Sequence, residues 1–177
     1  ILLYLSDMAA QDAKGFGALE HPTSTTVVMP EMMGLEMLQE QLKDVVSHEF
    51  FHIVTPLSVH SREIHYFDFN KPQMSEHLWM YEGITEYFAN LFQVNQGLIS
   101  EEDFYKRMNG KIEEANAMND KMSFTKMSKN VLEQPYKEQY LNVYQKGALI
   151  AMCIDIQMRE LSNGQRGILS LMQDLSN

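Results

Sequence analysis

A chain of 177 residues, 45% of them hydrophobic, is one domain's worth of sequence with enough apolar surface for a core of its own. Its net charge of −10, with no basic cluster, argues against nucleic acid and anionic membrane surfaces as partners, and the longest apolar run, 147–154, is far too short for membrane insertion. A lone cysteine, Cys153, excludes an internal disulfide and is expected to fill a small core space, while the compartment, cytoplasmic or periplasmic, stays open.

The chain opens with Ile1-Leu2-Leu3-Tyr4-Leu5, a strand-like run with neither an initiator methionine nor a signal peptide before it. Such a start is expected of a domain excised from something longer. A turn at Gly15-Phe16-Gly17 leads into an extended segment carrying Glu20, then into the β-branched run 23–28. On sequence grounds alone Glu20 is an exposed strand carboxylate.

Leu35, Leu38, Leu42, Val45, Val46 and Ile53 recur at three- and four-residue steps, which predicts an amphipathic helix. It should stop near Val54, because Pro56 biases Thr55 away from helical dihedrals. This helix carries His48-Glu49-Phe50-Phe51-His52, which fits the pattern H-E-x-x-H. Histidines four apart lie on one helix face about a turn from each other, where one zinc ion can take a nitrogen from each. Glu49 sits beside that face, placed to reach a metal-bound water without ligating the metal. A chance pentapeptide would carry no requirement to lie on a helix.

Two histidines leave such a site short of a third protein ligand. The next predicted helix, with Trp79, Tyr81, Ile84, Phe88, Leu91 and Phe92 as its apolar face, is stopped by Gly97 and bears Glu82 and Glu86 on a common face. Carboxylates on so aromatic a helix are either an exposed acidic edge or are neutralised by something positive. We take Glu82 as the third ligand and Glu86 as the acceptor that holds one histidine's other ring nitrogen. His21, His60, His65 and His77 have no partner at ligand spacing and read as structural or surface residues, His21 being the exception to watch because it adjoins Glu20.

Further along, Ser100 caps a helix with Glu101, Glu102 and Asp103 in its first turn, running to about Asn119. Residues 122–135 read as an irregular connection. A long helix over 136–161 places Tyr140, Tyr144, Ala148, Ala151 and Asp155 on nearby faces, ends at Asn163-Gly164, and is followed by a short helix over 167–175. Taken alone, Tyr144 reads as a core aromatic, and the 14 methionines as pliable core filling. The fold class is α+β, mostly helical, with a few amino-terminal strands.

The pairing of HEFFH with Leu78-Trp79-Met80-Tyr81-Glu82-Gly83-Ile84-Thr85-Glu86-Tyr87-Phe88 resembles the gluzincin peptidases, and in detail the glycyl aminopeptidase family, whose second helix reads L-W-x-x-E-G-x-T-x-Y-[YF]. Gly17-Ala18-Leu19-Glu20-His21 resembles that family's G-G-L-E-H, with Ala18 in place of the second glycine. It is also similar to the G-x-M-E-N strand of the broader zinc aminopeptidases. Tyr144-Gln145-Lys146-Gly147 is similar to the family's Y-x-K-G. The blocks fall in family order across 17–147, although Ile53-Val54-Thr55-Pro56-Leu57 departs from the polar, tryptophan-containing run that follows the second histidine in the family.

The resemblance implies a thermolysin-like zincin catalytic domain with one zinc on His48, His52 and Glu82. It implies Glu49 as general base and Tyr144 as donor to the transition-state oxyanion. Gly17, Ala18 and Glu20 would form an edge strand that pairs with substrate backbone and binds the free α-ammonium. Peptides would then be cut at the amino terminus, with small first residues such as glycine or alanine preferred. The family's usual architecture would flank residues 1–177 with an amino-terminal β domain and a carboxy-terminal PDZ-like module. Two other readings stay open: a zinc endopeptidase in which Glu20 binds no ammonium, and a catalytically silent binding or scaffold domain that keeps the zinc.

Overall fold

Alternation of side chains along residues 24–30 sets the architecture at the amino-terminal end. In the computed structural model, which describes residues 1–8 and 16–176, this segment is the central strand of a three-stranded sheet. The strands are β1 (Leu2–Ser6), β2 (Gly17–His21) and β3 (Ser24–Pro30), in the order β1-β3-β2. β1 runs parallel to β3, with Leu2 opposite Thr26, and β2 runs antiparallel, with Gly17 opposite Val28 and Glu20 opposite Thr25. Val27 and Met29, two residues apart, are fully buried, as the period of a one-faced strand requires. β2 therefore lies at a sheet edge, as expected for Glu20's strand. Gly15, placed in the predicted turn, lies outside the described residues.

Helix α1 (Leu35–Phe51) packs against β2 and β3 and carries the histidine motif. It ends a little earlier than predicted. The carbonyl of His52 would normally take an N–H four residues on, but that residue is Pro56, which has none; Leu57 supplies the bond instead at 3.1 Å. Residues 52–59 consequently form a series of turns. A short α2 (Arg62–His65) leads to α3 (Leu78–Asn95), which is buried along most of its length and is stopped by Gly97 at φ +67°, a left-handed conformation suited to glycine.

The capping box predicted at Ser100 is present: Ser100 Oγ accepts the Asp103 N–H at 3.1 Å, and the Asp103 carboxylate accepts the Ser100 N–H at 3.3 Å, opening α4 (Glu101–Ala117). The supposedly irregular stretch 122–135 instead contains α5 (Phe124–Lys129), capped by Ser123 and buried at Met127 and Ser128. It is too short for a periodic pattern; burial of Met127 beside Leu78, Val131 and Val143 holds it. The long helix is likewise interrupted, as a 3-10 turn (Tyr136–Gln139) precedes α6 (Asn142–Leu161). Asn163 and Gly164, both at positive φ, end α6, and α7 (Ile168–Leu175) closes the described chain.

The larger apolar cluster among the described residues lies between α3, α6 and α7, where Ile84, Tyr87, Phe88, Ala148, Ala151, Ile168 and Met172 are buried together. Cys153 is not part of it. Contrary to expectation it is exposed, because Ala148, Ala151 and Asp155 occupy the inward face of α6.

Candidate metal centre and active site

One contact places the main elements of the site. A Cβ on Gly83 would fall 2.3 Å from the backbone carbon of Gly147, and one on Gly147 would fall 2.7 Å from the Trp79 carbonyl oxygen. α3 and α6 therefore cross backbone to backbone, which only a pair of glycines allows. The residue before one glycine is Glu82, and the residue three before the other is Tyr144, so the crossing brings carboxylate and phenol together. α1 packs on α3 from another side and adds its histidines.

His48 Nε2 lies 3.2 Å from Glu82 Oε2, and His52 Nε2 lies 3.7 Å from the same oxygen. Ligand atoms around a tetrahedral zinc at about 2.0–2.1 Å stand roughly 3.3 Å apart, so both distances to Glu82 Oε2 are close to the spacing such an ion needs. The other ring nitrogens are also fixed. His48 Nδ1 faces Glu86 Oε2 at 2.9 Å and His52 Nδ1 faces the Thr55 carbonyl oxygen at 3.0 Å. Both of these partners can only accept, so each Nδ1 donates and each Nε2 is the nitrogen turned toward Glu82. A carboxylate and two imidazoles aimed at one point form a donor set that fits a divalent cation.

The electrostatics agree. Burial works against a charged His48, yet the hydrogen bonds and charges of Glu82 and Glu86 outweigh it and push its pKa up to about 10. Burial would raise Glu86 as well, but His48 and Lys111 hold its carboxyl far below the usual range. In the same way Glu82 is kept ionised against its burial by His48 and His52. Glu86 is further anchored by Lys111 Nζ at 2.7 Å and Asn90 Nδ2 at 3.0 Å. Sequence reading missed Lys111 and Asn90. Asn90 continues the Glu82–Glu86 face by a further four residues, a signal that was available; Lys111 is on α4 and only the fold brings it in.

Glu49 is buried on the same helix as the histidines, and its nearest ligand atoms lie within 4.8 Å of theirs. Its pKa is raised mainly by burial, opposed by His52 and His48, with the charges of Glu20 and Glu82 adding to the rise. Glu20 is thus near enough for Glu49 to feel it, across the β2–β3 end where Thr25 Oγ1 lies 3.5 Å from Glu49 Oε2. Gly17 and Ala18 continue the same edge, half-buried. The Tyr144 ring centre is 5.7 Å from that of His48. The site residues predicted from sequence are therefore drawn from β2, α1 with its carboxy-terminal cap, α3 and α6.

The remaining histidines stand apart. His21 is exposed at the end of β2 and His77 at the start of α3. His60 and His65 do find a partner, each other, with His60 Nε2 and His65 Nδ1 2.9 Å apart at the surface.

The described chain is an α-rich α+β domain with a small three-stranded sheet. The chain is similar to the crystal structure of an aminopeptidase N family protein from Idiomarina loihiensis, with a TM-score of 0.80 over 99% of this chain at 22% identity. It spans about a third of that protein's length, 31%. No curated protein matches it. The family model for M61 glycyl aminopeptidases matches residues 41–150, more than half of the chain. The chain belongs to the M61 glycyl aminopeptidase family. The matched stretch includes both histidines, Glu49, Glu82, Glu86 and Tyr144, and leaves the β2 segment outside it.

Proposed function

We propose that this is the catalytic domain of a zinc-dependent aminopeptidase of the thermolysin-like zincin type, with His48, His52 and Glu82 as zinc ligands. The observation that carries this is the convergence of His48 Nε2 and His52 Nε2 on Glu82 Oε2 at 3.2 and 3.7 Å, with Glu49 alongside on the histidine helix. Zinc held there would acidify a water molecule and polarise the scissile carbonyl. Glu49, whose pKa burial raises above the ordinary carboxylate value, takes the proton from the attacking water and returns it to the departing amine. Burial and the charge of Glu82 keep the Tyr144 phenol protonated well above its ordinary range, so it is a hydrogen-bond donor at any working pH.

Glu20, on the edge strand beside Glu49, binds the substrate α-ammonium and so limits cleavage to the first residue, while the Gly17-Ala18 edge pairs with substrate backbone. By family likeness the first residue is small, glycine or alanine. Two measurements on the full-length protein test this. Replacing Glu49→Gln should lower kcat by about 10²- to 10⁴-fold with zinc retained. Acetylating the amino terminus of a dipeptide amide should abolish its cleavage. Undiminished turnover of the acetylated substrate would make the enzyme an endopeptidase, and turnover in the Glu49→Gln protein would remove the general base.

A further inference from the structure

Tyr144 is not alone at the site. The hydroxyl of Tyr140, one turn earlier, lies 2.9 Å from its own, with the two rings edge to face at 5.6 Å. Tyr140 precedes α6 but has helical dihedrals, φ −54° and ψ −47°, so the two side chains keep the one-above-the-other relation of residues four apart. Nothing in the motif Tyr144-Gln145-Lys146-Gly147 extends to it. Each phenol has a single proton, and distance alone does not say which donates.

The proposed reaction decides: a developing oxyanion has no proton to give, so a Tyr144 hydroxyl that bonds to it must be the donor. The Tyr144 proton is therefore committed to the cleft side, and its oxygen is left as an acceptor for Tyr140. Tyr140 is 36% exposed, so its hydroxyl can exchange partners with solvent while Tyr144's, deeper in, cannot do so as freely.

We propose that Tyr140 is a positioning residue for the reaction: by donating to the Tyr144 oxygen, it turns the Tyr144 proton into the cleft and makes that hydroxyl a stronger donor to a developing oxyanion. The inference rests on the aminopeptidase reading above. The physical basis is that hydrogen bonds in a chain polarise one another, so a hydroxyl that accepts a bond donates a better one. Loss of the Tyr140 hydroxyl leaves its ring in place and opens no cavity.

The test is a double-mutant cycle on the zinc-loaded, full-length protein. Tyr140→Phe should lower kcat about tenfold with KM within twofold. It should weaken a phosphonate dipeptide analogue, which presents a tetrahedral oxyanion, by a similar factor. Zinc content and the thermal midpoint should stay those of the parent. In a Tyr144→Phe background the same substitution should have less than a twofold effect on either readout. An unchanged or increased kcat in Tyr140→Phe overturns the inference, as does an equal loss in both backgrounds. If Tyr144→Phe and Glu49→Gln lose activity while Tyr140→Phe does not, the aminopeptidase reading stands and this inference alone falls. If Tyr144→Phe is fully active, or the parent protein cleaves no peptide, both fall together.

Discussion

His48 faces carboxylates on both of its ring nitrogens, Glu82 at 3.2 Å and Glu86 at 2.9 Å, and this has a direct consequence for pH. With its pKa pushed up to about 10, the metal-free histidine is an imidazolium at neutrality, and a metal must displace that proton to bind. Apparent zinc affinity should rise about tenfold per pH unit from neutrality toward pH 10, with close to one proton released per ion; calorimetry in buffers of different ionisation enthalpy measures both. The sign for metal-free stability is opposite. A raised pKa means the contribution of His48 is complete below its ordinary value of 6.5 and is lost as pH climbs through about 10. Behind Glu86, Lys111 Nζ at 2.7 Å is the counter-charge that keeps this carboxylate ionised and oriented. Lys111→Met should weaken zinc binding about tenfold in a competition titration. An unchanged affinity would mean that His48 and Asn90 suffice to hold Glu86.

The same site shows, at the level of elements, what can and cannot be read from a linear sequence. Histidines four apart and Glu82 and Glu86 four apart each declare a helix face, so two faces of the site were legible before any fold was known. That these faces meet was inferred from the expense of leaving carboxylates unpaired among aromatics and from the family resemblance of the two helices. Packing of α1 on α3 brings them together, and the crossing of α3 with α6 at Gly83 and Gly147 adds Tyr144, although each glycine looks unremarkable by itself in the sequence. A methyl group at Gly83 would lie 2.3 Å from backbone that cannot rotate away. Gly83→Ala should therefore force α3 and α6 apart, lowering stability by about 3 kcal/mol in denaturant unfolding and separating Tyr144 from Glu82, with a loss of kcat exceeding that of Tyr144→Phe. Gly110→Ala on α4, where an added Cβ meets nothing within 4 Å, is the matched control and should be neutral or slightly stabilising. Short elements were the least legible: α5 has six residues and rests on buried Met127 and Ser128, and the exposure of Cys153 depends on which face of α6 meets α3.

At the scale of the molecule, the proposed metal centre and the apolar core are separate devices. The core residues Phe88, Ala148, Ala151, Ile168 and Met172 lie between α3, α6 and α7, and Asp155 ties these helices by accepting the Tyr87 hydroxyl at 2.9 Å and the Ile168 N–H at 2.7 Å. None of these contacts involves His48, His52 or Glu82. A chelator should accordingly leave the far-ultraviolet circular dichroism of the protein unchanged at 25 °C, unlike a small domain whose folding depends on its metal. It should still lower the melting temperature, because the proposed zinc site is assembled only in the folded chain. At a free concentration about 1,000 times its Kd, an ion contributes about 4 kcal/mol, worth about 10 °C for a chain of this size. The difference between loaded and chelated protein should widen from pH 6.5 toward pH 10, since zinc affinity rises over the range in which the metal-free form loses the His48 contribution. Collapse of the helical signal on chelation would show that α1 is held to α3 by the metal alone. A melting temperature indifferent to zinc would mean that the three ligand atoms do not take up the ion together.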